Sequence, residues 1–137
     1  MRHVVATLCA IAALATGFEA RAGALDEVRR GFAQAVYQDS RDDINLDAPQ
    51  PMLRAVVVLR VRTDDAGRWH AEVMRENDVE PGLTRKALAS VEHLGVAGTV
   101  PGGLTEQLHR EGFVEVWLFQ NDGRFALKTL ALPQRGL

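Results

Sequence analysis

The chain has 137 residues, a length that suits one small domain. Its 16 Lys+Arg and 18 Asp+Glu give a net charge of −2 without basic runs, which argues against general nucleic-acid binding. A single cysteine, Cys9, excludes an intrachain disulfide and a Cys-based metal cluster.

Met1-Arg2-His3 is basic, Val4 to Phe18 is an almost unbroken apolar run, and Ala20-Arg21-Ala22 fits a small-residue cleavage site. Together they predict a signal peptide over residues 1–22, removed after Ala22. The run is shorter than the roughly 20 apolar residues of a membrane span, so no retained span is expected. Cys9 follows Leu8 and lies too early for a lipoprotein signal, so no lipid anchor is expected either. The mature chain, placed in the periplasm, has no thiol. It loses Arg2, Arg21 and Glu19 and carries a net charge of −3.

Leu25, Val28, Phe32, Ala35 and Val36 recur with helical spacing across Ala24 to Gln38, which predicts an amphipathic helix. Gly31 weakens this helix without stopping it. Asp39 to Pro51 is polar, acidic and closed by Pro49 and Pro51, which read as a rigid approach to a strand. Asp43, Asn45 and Asp47 have the spacing that opens a calcium loop. The sixth position is Ala48 rather than Gly and the twelfth is Arg54 rather than Glu, so the reading is a solvated loop.

Ala55 to Arg62 is a β-branched run with Val57, Leu59 and Val61 on one face. Thr63 to Gly67 breaks it with turn residues, and Trp69, Ala71 and Val73 then alternate with His70, Glu72 and Met74. The pair reads as an antiparallel hairpin. Val56 and Val58 make the second face apolar as well, and a helix or a partner could cover it. After a polar break at residues 76–82, Leu83, Ala87, Leu88, Val91 and Leu94 stripe one helical face, stopped by Gly95. Residues 96–103 read as a loop and Leu104 to Glu111 as a short helical turn. Phe113 to Phe119 is a third strand, Asn121-Asp122-Gly123 a turn, and Phe125 to Leu132 a fourth strand.

Little in this chain carries catalytic chemistry. The mature chain has two serines, Ser40 and Ser90, neither in a G-x-S-x-G elbow, and Ser90 reads as a solvated helix residue. His70, His93 and His109 lack metal-ligand spacing, and no phosphate-binding glycine loop is present. The expectation is a protein that is not an enzyme and has no cofactor and no metal.

The order of strand, D-x-G turn, second strand, polar break, Leu83-Thr84-Arg85-Lys86-Ala87-Leu88-Ala89-Ser90-Val91 helix, Pro101-containing loop and closing strand resembles the TonB C-terminal domain over Leu53 to Leu132. The preceding helix makes the start of the mature chain similar to the TolA C-terminal domain. The fold expected is α+β: an N-terminal helix, then β-β-α-β-β, with an antiparallel sheet packed against helices. The chain divides into a signal peptide (1–22), a helix and acidic Pro-containing loop (23–52) and the TonB C-terminal-like domain (53–137). The resemblance implies a periplasmic adaptor in the cell envelope that binds peptides of outer-membrane or other envelope proteins by strand addition, with a link to outer-membrane transport. The family's membrane anchor and long Pro-rich spacer are not expected here, so force transmission is not part of the expectation. If the fourth strand is a sheet edge, Phe125, Leu127 and Thr129 line one side of it and are the candidate partner-binding residues. Self-pairing into a homodimer is the other use of such an edge. Two alternatives stand beside this reading: a secreted enzyme or inhibitor whose histidines meet a carboxylate in a concave site, and a structural subunit of envelope assembly.

Overall fold

The computed structural model of the chain describes residues 22–76 and 79–133. Apart from Ala22, the leader lies outside these residues, as do Cys9, Asn77, Asp78 and Gly136. Helix α1 covers residues 22–39 and is followed by a 3₁₀ turn at Arg41–Asp43. The remaining elements are β1 (Ala55–Thr63), β2 (Trp69–Arg75), α2 (Pro81–Glu92), α3 (Thr105–Arg110), β3 (Phe113–Phe119) and β4 (Phe125–Leu127). The four strands form one antiparallel sheet in the order β2-β1-β3-β4, so the architecture is α+β.

Alternation in β1 decides which face is inside. Ala55, Val57, Leu59, Val61 and Thr63 are buried, and the residues between them are half-buried. Their partners across the ladder in β3 are Phe119, Trp117, Glu115 and Phe113. Both long helices cover this same face. Phe32 of α1 meets Trp69, Phe113 and Trp117 edge-on, with ring centroids 5.0, 5.4 and 6.4 Å away. Ala87 and Val91 of α2 join the same core. On the second face Val56, Val58, Val116 and Leu118 are half-buried and Val114 is exposed.

Helix α2 starts earlier than the sequence suggests, at Pro81 in the residues assigned to the polar break. Proline is favoured in the first helical turn, where its missing N–H costs no helical bond. Ser90 is not solvated. It is 5 % exposed, its hydroxyl donates to the Ala87 carbonyl (2.6 Å), and it accepts the Trp117 indole N–H (3.0 Å). The helical stripe alone did not show that a neighbouring tryptophan needs an acceptor there.

Helix α3 docks at the hairpin end of the sheet through buried Leu104 and Leu108. Gly112 then brings the chain into β3 at φ 62°, and a Cβ there would lie 2.0 Å from the Val61 carbonyl oxygen, so only glycine fits.

Candidate functional site

Strand addition needs a sheet edge with unpaired backbone groups, and this sheet has two outer strands. β4 is the shorter. It ends at Leu127, whereas the apolar pattern suggests Leu132, and the cause is Glu115. This carboxylate is 2 % exposed on the core face of β3. Its Oε1 accepts the Val116 N–H at 2.9 Å and the Thr129 N–H at 3.3 Å, and its Oε2 accepts the Thr129 hydroxyl at 2.5 Å. The ladder makes one further bond, from the Lys128 N–H to the Val116 carbonyl at 3.0 Å, and the Val116 N–H and the chain at Thr129 are then held by a side chain. Residues 128–130 turn, and Leu130 and Ala131 donate to the Leu127 carbonyl at 3.0 and 2.8 Å.

Three outward groups of β4, the Phe125 carbonyl and both backbone groups of Leu127, are also occupied. The Phe125 carbonyl accepts the Asn45 N–H at 2.8 Å. The Leu127 N–H donates to the Tyr37 hydroxyl at 3.0 Å. Burial raises the Tyr37 phenol above its ordinary value, the Leu127 hydrogen bond opposes that, and the nearby Glu115 carboxylate adds to the rise. The three residues expected to receive a partner are therefore placed as follows. Phe125 and Leu127 are 1 % and 0 % exposed, with side chains in the core, and Thr129 lies past the strand, bonded to Glu115.

β2 differs. At its start the Trp69 N–H leaves the ladder and donates to the Gly95 carbonyl (2.8 Å), while Ala97 N–H reaches the Gly67 carbonyl (2.9 Å). Hydrogen bonding alternates along an antiparallel strand. With Trp69 N–H directed outward, Ala71 and Val73 direct their N–H and C=O groups outward too, and His70 and Glu72 face β1. Among the described residues no further strand or loop pairs with Ala71 and Val73. A bulge between Val58 and Leu59 of the register, with Met74 as the extra residue, ends the regular edge. Val73 and Met74 are 40 % and 50 % exposed beside it. Arg62, on the central strand, is ion-paired to Glu72.

The three described histidines stand in different settings. His70 and His93 are exposed. His109 does meet a carboxylate: its Nδ1 lies 2.8 Å from the Thr63 carbonyl and its Nε2 3.2 Å from Asp65 Oδ1. This ring ties α3 to the first hairpin. Asp43 pairs with Lys86 at 3.0 Å, and Asn45 bonds the Asp47 carbonyl at 3.0 Å, so the partial calcium-loop pattern serves local structure. Among the described residues no group of three or more His, Cys, Asp or Glu is placed to hold a metal ion, and no helix is long and apolar enough to cross a membrane.

Sequence reasoning missed Glu115 and Tyr37. A charged residue between Phe113 and Trp117 on the aromatic side of β3 was the available signal. No family model, curated protein or solved structure matches this chain.

Proposed function

We propose that this chain is a periplasmic protein-binding adaptor, similar in fold to the TonB and TolA C-terminal domains, that takes an extended peptide of an envelope protein as an added strand on β2. The signal-peptide features support the compartment and the order of elements supports the family resemblance. One observation carries the binding mode: Ala71 and Val73 present unpaired backbone groups on an outer strand, while the Phe125 carbonyl and the Leu127 N–H and carbonyl of β4 are taken by the chain itself. The side chains beside that edge, Val73 and Met74, offer apolar contact, and Glu72 and Arg75 offer charge. A role linked to outer-membrane transport follows if the peptide belongs to an outer-membrane receptor.

The test uses a photo-crosslinking residue at Met74 in cells that express the chain. Adducts to one or a few envelope proteins are expected. They should disappear in Val73→Pro, because proline removes an outward N–H and leaves the β1 ladder intact. Adducts only to a second copy of the chain would replace the peptide by a homodimer. Adducts that persist unchanged in Val73→Pro, or none at all, would sink the reading.

A further inference from the structure

At the Trp69 end of β2, α1 and the loop that follows α2 flank an open cleft of about 460 Å³. Phe32 and Trp69 line it together with Val28 on the helix side and Val100 and Pro101 on the loop side. Its size lies in the range of small-molecule sites, which are mostly apolar with few polar groups. Glu27 is the one charged residue in the lining; no Lys, Arg or His among the described residues contributes to it.

Gly31 singles this cleft out. It sits in the middle of α1, where glycine weakens a helix relative to alanine. Packing does not require it, because a Cβ at Gly31 would meet nothing within 4 Å. Backbone geometry does not require it, because its φ is not positive. Gly31 does line the cleft, and so does Gly98 across from it, where a Cβ would also meet nothing within 4 Å. Side chains at these two positions would occupy the space between helix and loop.

We propose that this cleft binds a small, largely aromatic or aliphatic molecule that is neutral or cationic, and that Gly31 keeps it open. The apolar lining sets the body of the ligand. The Glu27 carboxylate sets its charge: an anionic group would face a like charge with no cation to offset it, and a cationic group would be paired. The site adjoins β2 at Trp69, whose N–H is already met by the Gly95 carbonyl, and it stands whether or not Ala71 and Val73 take a peptide.

Two dyes with one apolar body test it on the purified protein: neutral N-phenyl-1-naphthylamine and its anionic relative 1-anilinonaphthalene-8-sulfonate. The neutral dye should bind saturably at one site and quench Trp69, and the anionic dye should bind at least about fivefold more weakly, the factor of one exposed charge contact near 4 Å in water. Glu27→Lys should remove or reverse that preference. Gly31→Leu should weaken the neutral dye at least tenfold, while Gly31→Ala, which suits the helix, should raise the melting temperature and weaken binding less. Non-saturable binding, equal affinity for both dyes in the parent protein, or full binding by Gly31→Leu would each overturn the proposal.

Discussion

β2 and β4 are the two outer strands of one sheet, and the chain treats them in opposite ways. At β4 the bonds to Asn45, Tyr37, Leu130 and Ala131 meet the Phe125 carbonyl and both backbone groups of Leu127, and both odd-numbered side chains are in the core. At β2 only the Trp69 end is met, by the loop at Gly95–Ala97, and Ala71 and Val73 face away from the ladder. The difference does not come from strand propensity, since both segments carry apolar residues at every second position, Trp69, Ala71 and Val73 in one and Phe125 and Leu127 in the other. It comes from what the rest of the chain brings alongside. α1 and the turn after it close one edge, and nothing described closes the middle of the other. An edge left open in this way is a liability for aggregation unless it is short or has a partner. Here the loop at one end and the bulge at the other restrict it.

The largest effect that separates the two edges is expected in the core of β4. Phe125→Ala should lower unfolding free energy by about 3–5 kcal/mol, because it empties a fully buried aromatic site against Phe119. Urea denaturation measures it. Thr129→Val removes the one hydroxyl bond and leaves Glu115 Oε2 without its donor, while the backbone bond to Oε1 remains. The expected loss is about 1–3 kcal/mol. Tyr37→Phe strips the acceptor from the Leu127 N–H at a cost of about 1 kcal/mol. Faster hydrogen exchange at Leu127, with little change at β1, would show that the closed edge has been opened. Val73→Ala on the open side should change stability by no more than about 0.5 kcal/mol, as for other surface positions. A large loss there would mean that β2 is not the exposed edge.

The smallest effect concerns the two hairpin turns. The Arg68 N–H holds Asp64, and the Arg124 N–H holds Asp122, below the ordinary carboxyl value of 3.8. With the folded value lowered, each contribution is complete above the unfolded value and disappears as pH falls through the folded one. Asp64→Asn and Asp122→Asn should therefore lower the neutral plateau slightly and make the acid-induced loss of stability below about pH 4 shallower. Both groups are exposed, so the change should be modest at moderate salt.

The turns themselves were readable in the sequence. Asp64 accepts the N–H groups of Ala66 and Arg68, Asp122 accepts that of Arg124, and Gly67 and Gly123 take positive φ. The inner face of β1 and the α2 stripe at Leu83, Ala87 and Val91 were readable for the same reason: period alone assigns them. Ser90 and Glu115 were not. Each is a polar residue whose burial depends on a partner distant in sequence, Trp117 for one and Thr129 for the other. The candidate binding residues suffered from the same blindness. Alternation put Phe125 and Leu127 on one side of β4, but it carries no information on whether α1 occupies that side.

Local chemistry, then, was enough to decide that strands, helices and turns fall roughly where they do, because each depends on spacing within a few residues. Which strand ends early, which edge is sealed and which cleft stays open were decided only when α1, the turn at Arg41–Asp43 and the loop after α2 came together on the sheet. Those outcomes depend on pairs of groups tens of residues apart, and a one-dimensional pattern does not encode their distance.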